Sequence, residues 1–94
     1  MTREMHEIIK DPNTNLVDVR SPAELYEMAI DGALNIPMDQ VPERINEFRD
    51  MKGDIVVFCR SGARSESVKQ YLMQNGITNV VNGGGVADIQ IQLM

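Results

Sequence analysis

The chain has few of the residues from which metal and disulfide sites are built. Its 94 residues include no tryptophan, one cysteine and one histidine. A single cysteine excludes an intramolecular disulfide, which agrees with a reducing compartment. Because there is no cluster of cysteine and histidine residues, we expect no bound metal ion.

Long apolar runs and excess positive charge are also missing. No apolar segment approaches the length of a membrane span, and residues 1–7 are polar and acidic, unlike a signal peptide. Nine basic residues against 14 acidic ones give a net charge of −5, which disfavours nucleic acid and anionic membranes as partners. We therefore expect a cytoplasmic protein, and the length fits a single domain over residues 1–94.

Strand-like and helix-like segments alternate along the chain. Short apolar segments predict strands at 16–19, 33–36, 55–58 and 80–81. Helical spacing predicts helices over 3–10 (capped by Thr2), from Ser21 to about residue 29, from Asp39 onward, over 63–75 and over 86–93. The glycine-rich residues 82–85 are predicted to form a flexible loop.

This alternation is typical of an α/β domain with three layers, α/β/α, around a small and mainly parallel sheet. In such folds, ligands bind outside the carboxyl ends of the strands. Cys59 follows one predicted strand, Asp18 and Arg20 lie at the end of another, and the glycines follow a third. We therefore expect these residues to meet at one edge of the sheet.

The segment around Cys59 carries the strongest chemical signal. The cysteine lies between a strand and a helix, where backbone N–H groups and the helix dipole favour negative charge. Arg60 and Arg64 follow in the same loop, although cations oppose the dipole at a helix start. This combination predicts a thiol with a lowered pKa, hence a reactive thiolate. The alternatives are a buried structural cysteine and arginines engaged in surface ion pairs.

Several segments, in order and spacing, resemble the single-domain rhodanese family over nearly the whole chain. They are Leu-Val-Asp-Val-Arg at 16–20, an acid at Glu24, Gly-Ala-Leu-Asn-Ile-Pro at 32–37, Cys-Arg-Ser-Gly-Ala-Arg-Ser at 59–65, and Gly76, Val80 and Gly84-Gly85 near the end. Two positions depart from the family pattern: Met28-Ala29 stands where glycine-histidine is common, and Ile89 where tryptophan is common.

The resemblance implies a rhodanese-like fold and a sulfurtransferase that carries sulfur as a persulfide on Cys59. The donor would be thiosulfate or a similar small anion, since the family's basic loops go with thiosulfate. The acceptor would be cyanide, a thiol or a protein, and no cofactor is implied. Residues of the loop would bind the substrate: Arg60, Ser61, Gly62, Ala63, Arg64 and Ser65. Asp18 and Arg20 are expected to support the loop.

Two other functions remain open from the sequence. Related dual-specificity phosphatases share a cysteine loop but separate cysteine and arginine by five residues, whereas Cys59 and Arg64 are separated by four, which makes a phosphatase the weaker interpretation. The same fold also serves as a non-catalytic regulatory or protein-binding module. An intact cysteine loop between two arginines disfavours that use.

Overall fold

The computed structural model describes residues 3–94, and the predicted helix cap Thr2 lies outside them. Within this range the chain forms four α-helices and four strands, and none of the helices is long and apolar enough to cross a membrane. In chain order the elements are α1 (Met5–Lys10), β1 (Asn15–Asp18), β2 (Leu34–Asn35), α2 (Ile45–Arg49), β3 (Ile55–Cys59), α3 (Ala63–Gln74), β4 (Val80–Gly85) and α4 (Val86–Leu93).

The strands form one parallel sheet in the order β2-β1-β3-β4. The α/β class predicted from the alternating segments is therefore confirmed. Because all strands run in the same direction, their carboxyl ends lie at one edge of the sheet. Asp18 at the end of β1 pairs with Phe58, so that Cys59 at the end of β3 lies one step beyond.

Side chains of β3 alternate between two hydrophobic cores, one on each face of the sheet. Every residue of the strand is buried, because helices cover both faces. Ile55, Val57 and Cys59 point to the face covered by α2 and α3, where they join Phe48 and Leu72. The other face packs against α1 and α4 through the even-numbered strand residues. The cysteine thus lies on the α3 side of the sheet.

The helix predicted from Ser21 is shorter and tighter than expected. It is a 3-10 helix over Pro22–Tyr26, and it does not continue to residue 29. The Glu24 carbonyl accepts the i+3 N–H of Glu27, and it also accepts a bond from the Arg20 guanidinium. A second guanidinium bond goes to the carbonyl of Met28. These contacts draw the backbone toward Arg20, which explains why a regular α-helix does not form.

The helix predicted from Asp39 is also interrupted. A 3-10 turn covers Met38–Gln40, and α2 begins only at Ile45, with Arg44 rather than Asp39 at its N-terminal boundary. Between the two segments the backbone N–H of Arg44 donates to the carbonyls of both Gln40 and Val41, so a mixed turn separates the 3-10 segment from α2.

The glycine-rich residues 82–85 were predicted to form a flexible loop, and this prediction is wrong. They continue β4, which pairs with β3 as far as Cys59. The register shifts at Gly83, where a Cβ atom would lie 2.6 Å from the side chain of Val56 and 2.7 Å from that of Ile89. Glycine is therefore required for β4 to lie close against its neighbours.

The positions that depart from the rhodanese pattern cause no strain. Met28 has a negative φ, and in residues 3–94 only glycines adopt a positive one. Ile89 of α4 is fully buried in the core on the α1 side of the sheet. Gly76 follows the end of α3 with φ +83°, a conformation that favours glycine, and Met73 of α3 is exposed.

Candidate active site

The loop between β3 and α3 wraps around the sulfur atom of Cys59. The backbone N–H of Gly62 donates to the Sγ atom at 3.0 Å, and the Ser65 hydroxyl lies 3.4 Å from the same atom. Gly62 turns the chain with φ +99°, a conformation that favours glycine. Cys59 is 1% exposed, so the sulfur is held at the base of the loop and not on its rim.

Two opposing effects set the pKa of the Cys59 thiol. Burial raises it, because a thiolate loses solvation. The Ser65 hydroxyl and the backbone N–H groups of Ser65, Ser61 and Gly62 lower it, and together they leave the pKa below its ordinary value. The sequence attributed part of this lowering to the arginines, but the contacts that lower it come from the loop and the first turn of α3.

Asn82 fixes the loop from the neighbouring strand, and sequence reasoning missed it. Its side-chain oxygen accepts from the Ser65 hydroxyl at 2.7 Å and from the Gly84 N–H at 2.9 Å. Its side-chain nitrogen donates to the Gly62 carbonyl at 3.0 Å and to Glu66 at 3.1 Å. Both groups that contact the sulfur are therefore anchored by one amide.

The close approach of β4 to the loop depends on Gly85. A Cβ atom at this position would lie 2.4 Å from the carbonyl oxygen of Arg60. The loop backbone is consequently packed directly against the end of β4, with no side chain between them.

Asp18 and Arg20 form a buried ion pair next to the loop. Each residue is 2% exposed, and the shortest contact joins Arg20 Nη2 to Asp18 Oδ2 at 2.7 Å. Arg20 Nε donates to both carboxylate oxygens. Asn35 of β2 donates to the carbonyls of both residues. This arrangement joins β1, β2 and the 3-10 helix.

Arg64 does not face the sulfur with a free charge. Its guanidinium binds both carboxylate oxygens of Glu24, at 2.7 Å and 2.9 Å. The hydrogen bond from Arg64 is the largest of the effects that hold the pKa of Glu24 at about 2. One alternative from the sequence was that the arginines are engaged in surface ion pairs, and the structure shows such a pair for Arg64.

The remaining predicted site residues lie on the outer side of the loop. Arg60, Ser61 and Ala63 are exposed, and within residues 3–94 the Arg60 side chain has no ion-pair partner. A cavity of about 310 Å³ adjoins the loop. It is lined by Arg20, Glu24, Glu27, Met28, Arg60, Val86 and Ala87.

Two signals in the sequence pointed to residues that were not assigned to the site. Asn82 follows two valines at the end of a predicted strand, and asparagine is disfavoured inside strands. Glu24 closes a predicted capping box, and the structure shows that Ser21 does donate to it. Glu24 also binds Arg64, and these two residues are 40 positions apart in the sequence.

The part of the chain described by the structure holds no cluster of metal ligands.

Known proteins resemble this chain in sequence. The rhodanese-like domain family matches residues 1–90. A sulfurtransferase of Allochromatium vinosum is 46% identical over 74 residues, covering 77% of this chain and 68% of the relative. The thiosulfate sulfurtransferase PspE of Escherichia coli is 40% identical over 74 residues, covering 78% of this chain and 71% of the relative.

Solved structures agree with the sequence comparison. An Escherichia coli rhodanese crystallised with anions superimposes with a TM-score of 0.71 at 36% identity, over 80% of this chain and 89% of the other. These similarities support sulfurtransferase activity. From the match over residues 1–90 and the shared fold, the chain belongs to the rhodanese-like domain family.

Proposed function

We propose that residues 1–94 act as one catalytic domain that transfers sulfane sulfur through a persulfide on Cys59, with thiosulfate able to serve as donor. The observation that carries this proposal is the environment of the sulfur. Gly62 N–H donates to the Sγ atom at 3.0 Å, and hydrogen bonds lower the thiol pKa despite burial. A thiolate is the form of cysteine that attacks sulfur.

In the first step, the Cys59 thiolate attacks the outer sulfur of thiosulfate. A sulfur–sulfur bond forms to the enzyme as the bond to the sulfite sulfur breaks, and sulfite leaves with the bonding electron pair. The products are the persulfide anion on Cys59 and sulfite, so charge is conserved without an outside oxidant or reductant. The N–H groups from residue 60 to residue 65 are the donors available to the new anion.

In the second step, an acceptor removes the outer sulfur of the persulfide. Cyanide attacks it, thiocyanate leaves, and the Cys59 thiolate is regenerated. A thiol acceptor reacts in the same way and becomes a persulfide itself. Because the chain has one cysteine, no second thiol within it can resolve the persulfide. The sulfur therefore passes directly to a molecule outside the chain.

In this proposal, the loop residues fall into two groups with different roles. Gly62 and Ser65 contact the sulfur and stabilise its negative charge. Arg60, exposed and without an ion-pair partner among residues 3–94, attracts the anionic donor. Ser61 and Ala63 contribute backbone to the loop, and neither needs its side chain for the reaction.

The test is the intact mass of the protein after incubation with thiosulfate, beside a Cys59→Ser variant. We expect a gain of one sulfur atom that disappears on adding cyanide and never occurs in the variant. Ser67→Ala is a matched control, because Ser67 is an exposed serine of α3 that does not contact the sulfur. Absence of a mass gain with any sulfane donor would overturn the proposal and favour a protein-binding module.

A further inference from the structure

The cavity beside the cysteine loop carries no excess positive charge. Arg20 is matched by Asp18 and Arg64 by Glu24, each at 2.7 Å. Two charged residues of the cavity lining remain, Arg60 and Glu27, and they have opposite charges. Neither forms an ion pair within residues 3–94. The lining is therefore balanced, in a chain whose net charge is −5.

A balanced cavity is a poor fit for a dianion. Thiosulfate carries two negative charges, and leaving water for a site with one free guanidinium would leave one of them uncompensated. A second cation exists, because Arg64 lies at the start of α3 in the same loop. Its guanidinium is already bound by both oxygens of Glu24, however. The charge of Arg64 is therefore matched, and a dianion could gain the full charge of this guanidinium only by displacing the carboxylate.

The Glu24 carboxylate is held in place by further hydrogen bonds, so it competes with an incoming anion for Arg64. Its carboxylate also accepts the backbone N–H and the hydroxyl of Ser21, each at 3.1 Å. The side chain is 25% exposed and that of Arg64 is 35% exposed, so the pair is partly shielded from solvent. A bidentate contact between arginine and a carboxylate is also the geometry that an oxyanion would need.

We propose that Glu24 determines donor specificity by holding Arg64, so that the cavity favours sulfane donors with a single negative charge or a balanced charge over thiosulfate. The persulfide of a small amino thiol fits this description, with its carboxylate toward Arg60. This inference rests on the proposed function, since it names the donor class for the same Cys59 reaction.

The experiment compares two donors that differ in one charge. Methanethiosulfonate has a methyl group where thiosulfate has an anionic oxygen, so it carries one negative charge. The Cys59 thiolate takes its outer sulfur to form the persulfide anion, and methanesulfinate leaves with the electron pair. Each kcat/KM, measured with cyanide as acceptor, is divided by the rate constant of the same donor with free cysteine, which removes differences in intrinsic reactivity.

We expect the unaltered chain to prefer methanethiosulfonate by about tenfold, the usual effect of one unmatched charged hydrogen bond. Glu24→Gln keeps an acceptor for Ser21 but releases Arg64, so the preference should fall by about tenfold, through a lower KM for thiosulfate. Glu27→Gln is the matched control, because it removes the same charge from the same cavity without releasing an arginine. It should change the preference by less than about threefold.

Two results would overturn the inference. One is equal normalised use of both donors by the unaltered chain, a measurement that does not depend on any variant folding. The other is an equal change of preference in Glu24→Gln and Glu27→Gln, which would mean that only the overall charge matters. Failure of the proposed function looks different, because neither donor would then add sulfur to Cys59.

Discussion

Two arginine–carboxylate pairs flank the cysteine loop, and they differ in where they lie. The side chains of Asp18 and Arg20 are each 3% exposed, whereas those of Glu24 and Arg64 are 25% and 35% exposed. Both pairs have a shortest contact of 2.7 Å. The contacts are equally short, so the difference between the pairs lies in their burial and in what else they bind.

Burial decides what each pair can do. Arg20 also donates to the carbonyls of Glu24 and Met28, so the buried pair connects a strand to the 3-10 helix and four of the five Arg20 N–H groups are engaged. A buried charge that loses its partner is costly, whereas a solvent-facing pair exchanges partners at little cost. We conclude that the buried pair belongs to the scaffold and that the exposed pair is the adjustable one.

The largest expected effect comes from breaking the buried pair. Asp18→Asn would leave the Arg20 charge buried without its carboxylate, which should lower the free energy of unfolding by about 3 kcal/mol. Urea unfolding followed by far-UV circular dichroism measures this change. Glu47→Gln, which breaks the more exposed pair with Arg44, is the control and should lower the free energy of unfolding far less, because solvent screens that pair. Equal losses of unfolding free energy in the two variants would contradict the distinction between the buried pair and an exposed pair.

The second effect concerns the thiol, whose pKa we attribute to the loop and not to the arginines. Ser65→Ala removes the hydroxyl that lies 3.4 Å from the sulfur. The single proton of this hydroxyl is shared between the sulfur and Asn82 Oδ1, so the pKa of Cys59 should rise by about half a unit, a part of the worth of one hydrogen bond to a charged group. The alkylation rate as a function of pH measures it. An unchanged profile in Ser65→Ala would show that the backbone N–H groups suffice, and Ser67→Ala provides the baseline.

Much of this fold was readable from the sequence because it follows from local patterns. The apolar run before Cys59 predicted a strand covered on both faces, and all five residues of β3 are buried. Helical spacing predicted a helix over 63–75, and α3 covers Ala63–Gln74. The carboxyl-edge rule for parallel sheets brought Asp18 and Cys59 to the same side, because pairing direction alone determines that outcome.

The errors arose where tertiary contacts override local preference. Ser21 and Pro22 signal a helix start, but the segment ends as a 3-10 helix at Tyr26, and Arg20 binds the carbonyls of Glu24 and Met28. The glycines at 83–85 look like a loop, yet each pairs with or packs against β3 or its neighbours. The contact between Glu24 and Arg64 spans 40 positions, and no periodic pattern in one sequence reports such a pair.

The third prediction concerns the exposed pair and the stability of the fold in acid. The pKa of Glu24 falls from 4.5 to about 2 in the folded chain. Its stabilisation is therefore complete above about pH 4.5 and is lost as the pH falls toward 2. Because the pair is partly exposed, solvent screening limits the contribution to about 1 kcal/mol. Unfolding free energies of the unaltered chain and Glu24→Gln should differ by this amount near neutral pH and converge in acid. A constant difference would contradict the assigned shift.

The smallest expected effect is the most specific to the exposed pair. If Glu24 already cancels the charge of Arg64, removing both charges in a Glu24→Gln, Arg64→Gln double variant should leave the pKa of Cys59 within about 0.3 units. Arg64→Gln alone should raise it, because the Glu24 carboxylate would then face the loop without its partner. Alkylation profiles of the two variants decide between the possibilities. A similar rise in both would mean that Arg64 acts on the thiolate directly, and the pair would then be part of the thiol's own environment and not an independent control of the donor.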